Sequence, residues 1–257
     1  MKKQTLVNLV ILTTFILSLS TGCGGDKPTE MVSMDPASTQ DELTMTPTPT
    51  ETVAAADGII SPLVVPAGDP PNIDGIHSPG EWDDALVETF ADGSQLLLFR
   101  SGDFLYLGII GKGAEMFSNN IYINRGDEIT ILHSSAALGT ARYQKVDNIW
   151  SQIQDFSWRC RKTDQSEAAL SERAEFMQTE GWLASNGRMG TPNEMEYMIT
   201  MPDQDFRMAV TIIKSSPPYE KIPWPVNLKD DCIRETPGGL PDIMEFTPNE
   251  WGVLILD

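Results

Sequence analysis

The sequence predicts an all-β fold, an antiparallel β-sandwich carrying one short helical excursion, and three observations lead there. Short apolar runs, several alternating in period 2, recur from residue 96 to the end and are separated by turn residues. One stretch alone, 166–177, is rich in helix formers. No strand–helix–strand alternation appears, and 20 Gly with 18 Pro provide the punctuation that many short strands require.

The chain opens with Met1-Lys2-Lys3 and an apolar stretch over 6–19 that is interrupted by Asn8, Thr13, Thr14 and Ser18. A spanning helix needs roughly 20 predominantly apolar residues, so this length and these flanks predict a secretory signal peptide over 1–22. Thr21-Gly22-Cys23 resembles a bacterial lipobox, with Leu19 one place further from the Cys than usual. Cys23 is therefore the expected lipidation site; cleavage near Gly22 to leave a bare thiol is the alternative. Two acyl chains hold a protein at a bilayer where one holds it marginally. Residues 23–57 are rich in Ser, Thr, Pro and acid and contain no aromatic residue, which predicts a disordered tether. The ligand-binding domain is expected over 58–257, lipid-anchored at a cell membrane on the extracytoplasmic or extracellular side.

Removal of Lys2 and Lys3 with the leader takes the formal charge from −19 to −21. Such a surface argues against nucleic acid, whose phosphates need basic neutralisation, and against lying flat on an anionic bilayer. Contact with the membrane is thus expected through the anchor alone.

Strands are predicted over 96–100 and 104–110, joined by Ser101-Gly102-Asp103, and over 120–124 and 128–132, joined by Arg125-Gly126-Asp127. Further strands are predicted over 140–146, 156–161, 196–201, 207–213 and 252–256. The helix over 166–177 would present Ala169, Leu170, Arg173, Ala174 and Met177 on one face. Cys160 and Cys232 are the cysteines that remain besides Cys23; in an exported chain such a pair most simply forms a disulfide, separate thiols being the alternative. Neither lies in a CxxC or has a His close by in sequence, so a metal pair is not indicated.

The most specific text is Pro71-Asn72-Ile73-Asp74-Gly75-Ile76 followed by Pro79-Gly80-Glu81-Trp82-Asp83-Asp84-Ala85. It resembles the opening of family 9 carbohydrate-binding modules and their DOMON-like relatives. Asp103-Phe104-Leu105-Tyr106-Leu107-Gly108, Glu196-Tyr197-Met198-Ile199-Thr200-Met201-Pro202 and the closing segment from Pro248-Asn249-Glu250-Trp251-Gly252 to Leu256 are similar to later strands of that family, in the same order. The resemblance implies a β-sandwich; related domains bind sugars or haem, so it leaves the ligand open. Trp82 and Trp251 read as framework, with the Trp82 indole over one end of the sandwich and Ala85 and Leu86 beneath it.

Sugar binding needs aromatic faces that stack on pyranose rings, and Trp150, Trp158, Trp182 and Trp224 are the candidates outside the framework motifs. Gln152, Gln154, Asp155 and Arg159 flank the first two. Haem would need axial ligands, and His77, read as a solvated loop residue, and His133 are the only histidines. No HExxH, GxSxG or P-loop pattern appears, and His133 beside Ser134 is not a catalytic pair, because strand neighbours face opposite ways. Asp83, Asp84 or Asp127 are candidates for a structural Ca²⁺. The expected protein is a non-catalytic lipoprotein that binds a glycan or another small molecule, with a structural or protein-interaction role in the envelope as the alternative.

Overall fold

The computed structural model describes residues 61–113, 116–160, 166–186, 194–201, 205–233 and 240–256. The expected signal peptide, lipidated Cys23 and tether lie outside the described residues. In chain order the elements are β1 (Leu63–Val64), β2 (Leu86–Thr89), β3 (Gln95–Ser101), β4 (Phe104–Ile110), β5 (Phe117–Arg125), β6 (Glu128–Ser134), β7 (Leu138–Val146), β8 (Ile149–Cys160), α1 (Glu167–Glu180), β9 (Trp182–Asn186), β10 (Glu194–Thr200), β11 (Phe206–Lys214), β12 (Lys221–Trp224), β13 (Ile243–Met244) and β14 (Gly252–Ile255). Among the described residues no helix is long and apolar enough to cross a membrane.

The strands form two packed sheets, and the all-β sandwich that the sequence predicts is the fold observed. The larger sheet runs β1-β14-β11-β5-β6-β7-β8-β13, with β12 beside the far half of β11; the smaller runs β2-β3-β4-β10-β9. Pairing is antiparallel except between β1 and β14. Both predicted hairpins close with two residues, Ser101 opposite Phe104 and Arg125 opposite Glu128. In each, Gly takes the first central position at positive φ, 55° at Gly102 and 67° at Gly126, as a tight hairpin turn demands. A third tight hairpin joins β7 to β8 through Asp147 and Asn148, both at positive φ. Its two short polar residues tolerate that backbone, a signal the apolar pattern did not register.

α1 starts at an N-cap, Ser166, whose side chain accepts from Ala169 N, and ends at Gly181 in the left-handed conformation. Its buried face differs from the predicted one: Ala169, Arg173 and Phe176 face inward, while Leu170 is half exposed. Arg173 explains the rotation. Its guanidinium donates to Ser185 Oγ (2.6 Å) and to the Ile73 carbonyl (2.9 Å), which fixes that side of the helix against β9 and the loop before β2.

Three apolar clusters sit on three surfaces. The largest fills the space between the sheets, with Leu96 and Leu98 of β3, Leu105, Leu107 and Ile109 of β4, and Ile121, Leu132 and Val210 opposite them. A second lies on the outer face of the larger sheet, where Leu228, Met244, Phe246 and Trp251 cover Tyr122, Ile129, Ile131 and Tyr143. A third lies on the outer face of the smaller sheet around Trp82, Leu97, Phe99 and Tyr106. Trp82 therefore caps a sheet face rather than one end of the sandwich. Ala85 joins it, whereas Leu86 turns to the inter-sheet core, as alternate strand positions must.

The Ile73-Asp74-Gly75 and Glu81-Trp82 motifs are held together by one distant carboxylate. Glu196 of β10, fully buried, accepts from Asp74 N (3.0 Å), Gly75 N (2.7 Å) and Trp82 Nε1 (3.1 Å). His77 is not solvated as expected: its side chain is 7% exposed, 4.0 Å from Glu196. Its ring rests on Gly108, where a Cβ would come within 3.0 Å of Cε1. Burial raises the Glu196 pKa to about 7, against the lowering effect of the Gly75 and Trp82 hydrogen bonds.

The expected disulfide is not formed. Cys160 is a buried thiol of the inter-sheet core, and Cys232 belongs to the cluster on the other side of the larger sheet. Each thiol sits in a packed layer with the sheet between the two layers, and burial beside Asp230 pushes the Cys232 pKa well above its usual value.

Two predictions follow from this architecture. Non-reduced protein denatured in urea should alkylate at both Cys160 and Cys232; a mass two hydrogens lighter with no alkylation at either would show a bridge instead. For Glu196 the folded carboxyl keeps its proton to about pH 7, whereas the unfolded one releases it near 4.5. Its contribution to stability is thus full below about pH 4.5 and is lost as pH rises through about 7. Glu196→Gln, always uncharged, should therefore narrow the gap in Tm to wild type as pH rises from 4.5 to 7, and a gap constant across that window would refute the assignment.

Candidate functional site

Five of the six tryptophans are core. Trp82, Trp150, Trp182, Trp224 and Trp251 are all at most 8% exposed, and Trp158 is 39% exposed. Three of the four candidate stacking residues are thus committed to the interior. Trp150 packs on Phe246 with Lys145 Nζ 5.6 Å from its ring, Trp182 donates to Thr140 Oγ1 (2.8 Å), and Trp224 donates to Glu88 Oε2 (3.1 Å). Trp224 also lies so close on Gly252 that a Cβ there would sit 2.3 Å from its ring. Trp150 and Trp158 share one strand but do not flank one cleft. Gln152 and Gln154, the polar groups expected beside them, donate to Tyr143 Oη and the Thr140 carbonyl.

Trp158 remains, and strand register decides its company. On the outer face of the larger sheet a row of directly opposed residues crosses five strands: Thr211, Asn120, His133, Gly139 and Trp158. Glycine is needed at 139, because a Cβ would lie 2.9 Å from Trp158 Cε3. The indole consequently lies against β7, its centroid 5.1 Å from His133 at 90° and 5.1 Å from Phe156 at 32°. Phe156 in turn meets His133 edge-on at 5.7 Å. The result is an aromatic platform with an exposed indole at one edge of the sheet.

A directed chain of hydrogen bonds orders the protons beneath it. The Cys232 carbonyl, which can only accept, takes bonds from Tyr122 Oη (3.3 Å) and Thr211 Oγ1 (3.1 Å). Tyr122 Oη, having donated, accepts from Asn120 Nδ2 (3.0 Å). Asn120 therefore turns Oδ1 toward His133 Nδ1, 2.6 Å away, and Nδ1 carries the imidazole proton. Nε2 is left as a lone-pair acceptor that makes no hydrogen bond among the described residues. Burial lowers the His133 pKa to about 4, so the ring is neutral at physiological pH.

This arrangement offers a ligand one exposed π-face and one neutral nitrogen acceptor of fixed tautomer. An exposed indole stacks on the C–H face of a sugar or on a planar ring, and the imidazole accepts from a hydroxyl or N–H. His133 and Ser134 do face opposite sides of the sheet. Asp83, Asp84 and Asp127 are exposed, and among the described residues no three His, Cys, Asp or Glu side chains gather into a metal-binding group. In sequence His133 reads as a haem-ligand candidate and as a neighbour of Ser134, and Asn120 only as the start of a strand over 120–124. The local signal for the latter was two consecutive asparagines opening an apolar strand.

Comparison of the chain with protein-family models, with curated proteins and with solved structures finds no match.

The ordered network predicts the behaviour of His133. Its ¹⁵N chemical shifts should report the Nδ1–H tautomer and remain unchanged from pH 8 down to about 5, with protonation near pH 4. Titration near 6.5, or the Nε2–H tautomer, would show that the chain does not run from His133 to Cys232.

Proposed function

We propose that this chain is a non-catalytic, lipid-anchored extracytoplasmic binding protein that holds a carbohydrate on the Trp158 platform. The observation that carries the reading is the pairing of the exposed indole with a neutral His133 whose Nε2 is left to accept. Pyranose rings present an apolar C–H face rimmed by hydroxyl donors, and the platform complements both features. The resemblance of the Ile73-Asp74-Gly75, Glu81-Trp82 and Trp251-Gly252 motifs to family 9 carbohydrate-binding modules supports the same reading. So does the signal sequence, whose expected acylation at Cys23 would place the domain among extracellular polysaccharides.

The purified full chain, screened on a glycan array, should give reproducible hits. Trp158→Ala should abolish them while lowering Tm less than the three core substitutions, since the side chain it removes is partly exposed. Trp150→Ala, Trp182→Ala and Trp224→Ala should instead cost about 3–5 kcal/mol of stability each, because they empty core volume. A blank array, or hits indifferent to Trp158→Ala, would move the platform from sugar recognition to contact with another envelope protein.

A further inference from the structure

We propose that the protein has a second binding site, a groove between the two sheets that takes a small hydroxylated carboxylate such as a sugar acid through Arg142. The groove encloses about 420 Å³ and is bounded by the inner faces of β5, β6 and β7, by the ends of β9 and β10, and by the last turn of α1. That volume lies within the roughly 300–1,000 Å³ typical of small-molecule sites. It is a separate place from the Trp158 platform, which lies on the other face of the same sheet.

Arg142 is the anomaly that identifies it. Its register partner on β6 is Thr130, so the side chain projects from β7 into the space between the sheets. Among the described residues Nε is buried without an acceptor, and no carboxylate forms an ion pair with the guanidinium. In a chain with 37 acidic and 18 basic residues, a half-buried arginine without an acidic partner is an unmet charge. Removing such a cation from water costs stability unless a counter-charge restores it. A ligand carboxylate does so with fork geometry that an arginine favours.

The rest of the lining specifies what the carboxylate is attached to. Thr130 presents a hydroxyl, Gln178 an amide, Arg125 a second guanidinium, and Glu128 and Glu180 carboxylates, with Trp182 forming apolar wall. Glu128 accepts from Thr130 Oγ1 at 3.3 Å, so it is a hydrogen-bond acceptor already directed at this end of the groove. Hydroxyl donors on the ligand match these acceptors, which selects a polyhydroxylated acid over a bare aliphatic one.

Calorimetric titration of the purified full chain with glucuronate and galacturonate, and with glucose and galactose as neutral counterparts, tests the assignment. The acids should bind and the neutral sugars should bind at least about tenfold more weakly, the loss expected for a missing charged hydrogen bond. In a Trp158→Ala background, which removes the platform, acid binding should persist, and there Arg142→Gln should weaken the acids by a similar factor and Arg142→Lys by less. Thr130→Val, which removes a hydroxyl without touching the charge, should weaken acids and neutral sugars alike and serves if Arg142→Gln does not fold. No heat with either acid, equal affinity for acid and neutral sugar, or binding unchanged in a folded Arg142→Gln would each overturn the proposal. Loss of acid binding in Trp158→Ala would instead place it on the platform.

Discussion

The carboxylate of Asp230 is the constraint on which the outer half of the molecule depends. It accepts from Cys232 N (3.0 Å), Thr247 N (3.0 Å), Thr247 Oγ1 (3.3 Å) and Trp251 Nε1 (2.8 Å). Four donors on one buried carboxylate replace the water it has lost, and they come from three places along the last thirty residues. The C-terminal segment is thereby laid across the outer face of the larger sheet. Asp231 extends the same attachment by accepting from Glu245 N at 2.7 Å. Because Cys232 N is held, the Cys232 carbonyl is aimed at Tyr122 and Thr211, and the proton order that reaches His133 starts from that carbonyl. The candidate site is thus set by a carboxylate that never touches it.

Glu196 performs the corresponding task on the other side. One carboxylate accepts from two backbone amides of the Ile73-Asp74-Gly75 turn and from the Trp82 indole, and closes the smaller sheet's outer face. The two tryptophans of the recognisable motifs therefore share a mechanism: each presents its ring to an apolar cluster and its N–H to a buried acid. Hydrogen bonds to a buried acid are worth about 0.5–1.5 kcal/mol each while it is protonated, as Glu196 is to about pH 7, and about 1.5–3 kcal/mol when it is ionised, and they direct a large ring that apolar contact alone would leave poorly oriented. In a chain this acidic, some carboxylates do structural work inside, while the remainder keep the surface soluble.

The structure separates tryptophans that look alike in sequence. Trp150 and Trp158 lie eight residues apart on β8, yet one is buried beneath Phe246 and the other is exposed. Coverage makes the difference: the C-terminal segment reaches Trp150 through the pairing of β13 with β8 at 150 and 151. Irregular register between β7 and β8 then brings Trp158 opposite Gly139, where the missing side chain admits the ring. The cysteines are separated in the same way. They are 72 residues apart in sequence and occupy opposite sides of one sheet, a fact about layers that no spacing encodes.

What the sequence determined by itself is local. Alternation of apolar side chains produces strands, Gly at the first turn position produces the tight hairpins at 102 and 126, and Ser166 with Gly181 bounds the helix, because each depends on backbone preferences within a few residues. The sandwich class follows, since many half-buried strands have few ways to cover their faces. Which face each strand turns to which layer was decided only in three dimensions. Trp158 is exposed, Trp182 buried and His133 tautomerically fixed because of partners that arrive from distant strands, Gly139, Thr140 and Asn120, and Arg142 Nε is without an acceptor among the described residues because none arrives there. Burial and hydrogen-bond direction are properties of the assembled layers, and residue type alone carries no record of them.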